Sequence, residues 1–230
     1  MPSKREVLAW MARAGSRKNV EGMRRYALPG HFGISVAVLQ KYAKGIGADH
    51  ALAVQLWKTG WLEPQILASF LADPAKVTPA LMDDWCKDFD NWGSTDTVCF
   101  KLFDRSPHAW KMVPKWVKRK GEFQKRAGFV LMACLAQHDK RAPDDRFLKY
   151  LPMIERGAVD DRNFVKKGVS WALRGIGHRN ATLHAAAIQT ATALSKSDAG
   201  PSRWVGKDAL RDLRRPAVIS KVTKKDRQAR

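Results

Sequence analysis

Negative charge is scarce in this chain. Asp and Glu number 22 against 42 Lys and Arg, which leaves a formal net charge of +20. Such an excess points to a polyanionic partner, nucleic acid first, although a highly soluble surface gives the same total. Part of it is segmental. Lys111 to Arg126 carries seven basic residues against one acidic, and Ser202 to Arg230 carries ten against three. Cysteine is also sparse. Cys86, Cys99 and Cys134 are odd in number and far apart, which excludes a disulfide framework and a CxxC metal site. Reduced core cysteines in a cytoplasmic protein are the expectation. No apolar run approaches the roughly 18 residues of a membrane span, and "MPSKREVLAW" has no signal-peptide core.

Catalytic signatures of the common kinds are missing too. The six histidines include no pair at i, i+4, so no metal site is expected. "GIG" occurs at Gly45 and Gly175, each time at a predicted helix end rather than after a strand, so no dinucleotide loop is implied. "GVSWA" at Gly168 misses the serine-hydrolase elbow by its last residue. No cofactor is expected.

What the chain does have is helical rhythm. "ISVAVLQKYAKGIG" ends on glycines, as helix C-termini often do. "VTPALMDDWCKDF" offers Thr78 as N-cap and Pro79 as first helical residue, and "SPHAWKMV" offers Ser106 and Pro107 in the same way. "EFQKRAGFVLMACLAQ" is apolar on nearly every side in its second half, which predicts an inner helix. Two further helices are joined by "HRN", and no strand pattern or hairpin signal is present. Candidate helix pairs begin near residues 33, 62, 94, 121 and 160. That spacing predicts an all-α fold, a right-handed α-solenoid of HEAT-like antiparallel helix pairs, with an irregular bundle as the alternative. A single domain is expected over residues 1–200, followed at 201–230 by a short helix and a basic tail, partly disordered in "TKKDRQAR".

Two helices carry candidate functional residues. In "FDNWGSTDTVCFKLF", Trp92, Asp96, Cys99 and Phe103 fall at i, i+4, i+7 and i+11, a single stripe containing one carboxylate. A partly buried Asp needs something to stabilise its charge, either a nearby helix end or core Arg, or a developing cation. In the helix from Asn163 to Ile176, Val165, Val169, Ala172, Leu173 and Ile176 form the apolar face. Trp171 points roughly 150° away from it, on the side of Phe164, Gly168 and Gly175 and flanked by Lys167 and Arg174. The glycines are expected to leave space above the ring, so that Trp171 meets a sugar-phosphate backbone or a base. Burial of Trp171 by a second helix layer fits that helix equally well.

"FDNWGSTDTVCFKLF", "KRAGFVLMACLAQHDK", "RNFVKKGVSWALRGIGHRN" and the earlier "LWKTGWLEPQILASFLAD" together resemble the AlkD-like family of DNA alkylation repair proteins, the HEAT-like repeat DNA glycosylases. The resemblance covers roughly Met23 to Leu194, with an echo in "SRWVGKDAL". It implies a solenoid whose concave, basic face clasps double-stranded DNA, working as a monomer in the cytoplasm on the nucleoid. It also implies a monofunctional glycosylase that hydrolyses the N-glycosidic bond of cationic alkylated purines, of the 3-methyladenine and 7-methylguanine type, without base flipping. By resemblance, Trp92 and Trp171 contact the deoxyribose of the lesion, Arg126 engages its phosphate, and Asp96 stabilises the sugar cation and positions water. Lys167, Arg174, Lys125 and Phe164 complete the expected DNA contacts. The sequence departs from the family pattern at Gly93, where many relatives carry an acidic residue after the Trp, and at Pro64 and Gln65. A non-catalytic binder of damaged or branched DNA and a protein-binding scaffold remain as alternatives.

Overall fold

Side-chain caps fix where most helices of the N-terminal half begin. In a computed structural model that describes the backbone of residues 1–229 and the side chains of residues 1–224, the contacts divide the chain into two compact units, Met1–His108 and Ala109–Arg230. The division does not coincide with the boundary expected at residue 200.

The first unit contains α1 (Lys4–Ala14), α2 (Arg17–Arg24), α3 (Val36–Ile46), α4 (His50–Trp57), α5 (Leu62–Leu71), α6 (Pro79–Lys87) and α7 (Trp92–Lys101). Ser3 and Glu6 form a capping box at α1. Thr78 caps α6 with Pro79 in its first turn, and Gly47 closes α3 at φ +82°, both as the sequence predicts. α5 is buried on almost every side, its polar Glu63, Gln65 and Ser69 included. Pro64 lies in the first turn of α5, where its missing N–H leaves no hydrogen bond unmade.

The second unit contains α8 (Ala109–Trp116), α9 (Glu122–His138), α10 (Asp144–Leu148), α11 (Leu151–Gly157), α12 (Asn163–Gly177), α13 (Ala181–Ser195), α14 (Gly200–Leu213) and α15 (Pro216–Ala229). α9 is the expected inner helix, buried without a break from Arg126 to Ala136. It lies against α8 and, most extensively, α12. Asn180 caps α13 by accepting from the N–H of Leu183, so "HRN" is the predicted turn between α12 and α13. α14 packs on both α12 and α13, which makes it part of this unit rather than of a tail. α15 covers part of the segment expected to be disordered; Arg230 and the side chains beyond Lys224 lie outside the described residues.

Two local expectations need correction. α8 starts at Ala109, not at Pro107, because Ser106 closes the preceding 3-10 turn, Phe103–Arg105, and its hydroxyl accepts from His108 N. The stripe on α7 ends at Cys99, because Leu102 leaves helical geometry (φ −133°, ψ −59°) and places Phe103 in that turn. Among the described residues every regular element is helical, and no helix is long and apolar enough to cross a membrane.

Candidate functional site

The start of α7 is built to hold an indole. The Asn91 side chain accepts from Ser94 N at 2.9 Å, which makes Trp92 the first helical residue. The half-exposed Trp92 donates its indole N–H to the carbonyl of Tyr26 at 2.7 Å. Asp96 follows one helical turn later, also half-exposed, with Cβ atoms at that spacing about 5–6 Å apart. Cys99, next on the stripe, is fully buried.

Tyr26 belongs to the loop between α2 and α3, and one buried carboxylate holds that loop in place. Glu63, 0% exposed in the first turn of α5, accepts from the backbone N–H groups of His31 (3.0 Å), Phe32 (2.9 Å) and Gly33 (2.7 Å). His31 stacks on Trp61 with ring centroids 4.1 Å apart. The loop contains the left-handed Ala27 (φ +53°) and Gly33 (φ +74°), where a Cβ would lie 2.2 Å from the carbonyl oxygen of Ser16. Leu28 from the same loop reaches over Gly93, so that a Cβ at Gly93 would stand 2.7 Å from a Leu28 methyl. Gly93 thus lets the loop close on the start of α7. A cavity of about 590 Å³ opens beside it, lined among others by Lys18, Met23, Arg25, Tyr26, Leu28 and Ile34.

Sequence reasoning missed Glu63. The available signal was a carboxylate inside the mostly apolar "LEPQILASFL", since a charged residue is almost never fully buried unless paired.

In the second unit the predicted residues divide into buried and accessible groups. Arg126 is 6% exposed; one N–H donates to the Phe164 carbonyl at 2.7 Å, and its stem runs past Gly168. Its surroundings tie the first turn of α12 to α9. Phe164 is half-buried against Phe123, centroids 5.1 Å apart, while the exposed Lys167 places its ammonium 5.9 Å from the Phe164 ring. Lys125 is 19% exposed and pairs with Asp160 at 2.7 Å, next to Arg162 at 2.6 Å. Hydrogen bonds from Arg162 and then from Lys125 outweigh burial and hold the Asp160 carboxyl well below the ordinary carboxylate range.

All five residues of the predicted apolar face of α12 are fully buried. Trp171, half-buried, lines a cavity of about 470 Å³ with Lys140, Arg174, His178, Asp212 and Lys221. Of the two glycines expected to leave space beside its ring, Gly175 lines this cavity and Gly168 does not. A Cβ at Gly168 would meet Arg126 and Phe129, and one at Gly175 would come within 3.3 Å of Ala133, so both let α12 approach α9. The cavity lies at the C-terminal end of α9, whose Ala136, Gln137 and His138 also line it. Lys140, His178 and Lys221 were not singled out in the sequence, where they are far apart and unremarkable.

The structure therefore places Trp92 with Asp96 on α7 in the first unit. It gathers Arg126, Phe164 and Lys167 at the start of α12, and Trp171 with Arg174 nearer its end, in the second; Lys125 is set into the Asp160 ion pair.

None of the curated proteins matches the chain. A solved structure is similar at TM-score 0.76 and 19% identity, over 92% of this chain and 96% of the other. It is described as representing a new family of proteins related to the HEAT-like repeat DNA glycosylases with affinity for branched DNA structures. At that identity the likeness establishes the fold, which is HEAT-like. The model of the DNA alkylation repair enzyme family matches residues 7–213, nearly the whole length over which the two units and their candidate residues are built, and the chain belongs to that family.

Proposed function

We propose that this protein is a monomeric DNA repair glycosylase that hydrolyses the N-glycosidic bond of cationic alkylated purines in duplex DNA. The observation that carries the reading is the pairing of Trp92 and Asp96 one turn apart on the half-exposed face of α7, with the indole anchored by the Tyr26 carbonyl. Alkylation at N3 or N7 makes the purine cationic, so it departs as a neutral base without protonation. The remaining barrier is the positive charge that grows on the deoxyribose as the bond breaks. Asp96 supplies a negative charge against that cation and accepts a proton from the attacking water; the Trp92 ring adds a π face. An anchored indole costs little reorganisation at the moment of reaction. Trp171, with Arg174 and Lys167, binds the sugar-phosphate backbone. Arg126 presents little surface, so its part is to position the first turn of α12. The site of action is the cytoplasmic nucleoid.

A second reading follows from the solved relative, which has affinity for branched DNA structures. In it the same surfaces bind damaged or branched DNA without chemistry, and Asp96 is a structural carboxylate. Heat- and alkali-independent base release from methylated duplex, measured beside affinity for duplex and for a four-way junction, separates the two. Release by wild type supports the glycosylase. Tight, junction-selective binding without release rejects it in favour of the binder.

A further inference from the structure

The cavity beside Trp171 is a place where positive charge is gathered and only partly compensated. Its cations come from three separate segments: Lys140 from the turn after α9, Arg174 from α12, and Lys221 from α15. The carboxylates at or near it, Asp212 in its lining included, already have partners. Asp212 accepts from His178 at 2.7 Å and pairs with Arg215 at 3.3 Å. Asp208 accepts from Ser170 at 2.6 Å, pairs with Arg211, and makes a long ion pair with Arg174 Nε at 3.9 Å. Asp139 accepts from the Trp110 indole and from Ala142 N, both at 3.0 Å. Among the described residues neither Lys140 nor Lys221 has an ion-pair partner.

The crowding has an electrostatic consequence. Partial burial, then the charges of Arg179 and Lys221, push the Lys140 amino group below its ordinary range. Like charges held together in this way are relieved by an anion. The negative end of α9 would oppose that anion, but Arg179 donates to its Ala136 and Asp139 carbonyls, both at 2.8 Å, and places a further cation there. A bare inorganic anion would make no use of the Trp171 wall, whereas a nucleotide unit offers a sugar or base face to it alongside its phosphate.

We propose that Lys140, Arg174 and Lys221 form a seat for one phosphodiester of bound DNA beside Trp171, which makes α15 part of the DNA interface. α15 begins at Pro216, beyond the family-matched residues 7–213, so this contact is an addition of this chain to the matched region. The inference rests on the DNA-binding part of the proposed function and not on catalysis.

The test labels lysines of the full chain with an amine-reactive reagent, read by mass spectrometry, while duplex binding is followed by anisotropy. Duplex is expected to protect Lys140 and Lys221 at low salt, with protection lost at high salt, and to leave the exposed Lys149, which does not line the cavity, unchanged. The double substitution Lys140→Gln/Lys221→Gln is expected to lower the slope of log affinity against log salt by about 0.9, the value for one phosphate. Bound duplex with undiminished Lys140 labelling, or an unchanged slope, overturns the seat. Protection by pyrophosphate but not by bound duplex also overturns it, in favour of a small-anion site. Absence of any duplex binding defeats the DNA reading itself and the seat with it, whereas absence of base release leaves the seat standing.

Discussion

Glu63→Gln is the substitution that most directly probes how the Trp92 end of the site is held. The side chain keeps its shape but loses its charge, and its environment is fully buried. Glu63 Oε1 accepts from His31, Phe32 and Gly33, so an amide oxygen can still occupy the same point. Hydrogen bonds to a charged group contribute about 1.5–3 kcal/mol each and neutral ones about 0.5–1.5, a difference near 1 kcal/mol per bond. Over these bonds the loop loses about 3 kcal/mol, reduced to about 2–3 by the easier burial of a neutral amide. At roughly 1.4 kcal/mol per tenfold, opening of the loop becomes about 30- to 150-fold more frequent. Hydrogen exchange on peptides spanning residues 24–35 measures this: the amides of His31, Phe32 and Gly33 should exchange faster by that factor. The Tyr26 carbonyl lies in the same loop, so the Trp92 indole loses a fixed acceptor and base release should fall with it. Exchange at those amides within about threefold of wild type would refute the claim that Glu63 holds the loop.

Two further expectations concern the second unit. Asp160→Asn should destabilise at neutral pH by about 2 kcal/mol, between the cost of a surface pair and a buried one, since Asp160 is 9% exposed while Arg162 is 34% exposed. The folded carboxyl titrates below its unfolded value of about 3.9, so its contribution is present above that pH and fades as pH falls through the folded value. The stability gap between wild type and Asp160→Asn in denaturant titrations should therefore be full above pH ~4 and close below it. Gly206→Ala would bring a Cβ to 2.2 Å from Ser195 N and 2.6 Å from Ala191 O, both backbone atoms. Parting α14 from α13 should cost about 2–3 kcal/mol and lower the melting temperature by about 5–10 °C, read by calorimetry.

Particular residues show how much of this was readable in the sequence. The inner position of α9 was legible because "GFVLMACLA" leaves no polar face to expose, and the buried side of α12 because its apolar residues recur at helical spacing. The cap at Thr78 acts within three residues of its partner, so sequence order reveals it. Trp92 and Asp96 were visible as a pair for the same reason. What escaped is what depends on distant segments. Glu63 acts on a loop about thirty residues earlier. Gly168 serves contact with α9, which helix periodicity alone could not distinguish from open space beside Trp171. Lys125 was expected to contact DNA, but its partner Asp160 lies 35 residues on. The charge cluster of Lys140, Arg174 and Lys221 has no sequence signature at all, because only packing of α15 with α13 and α14 brings it together.

The central claim is that Asp96 stabilises the sugar cation of an alkylated nucleotide. Its most direct test is single-turnover release of 3-methyladenine and 7-methylguanine from methylated duplex, comparing wild type with Asp96→Asn under conditions where both are saturated with DNA. Wild type should release both bases and the variant about 10²- to 10³-fold more slowly, the usual cost of removing one preorganised electrostatic group, with duplex affinity retained. Equal release by the two proteins, or none by wild type while the duplex is bound, would contradict the claim.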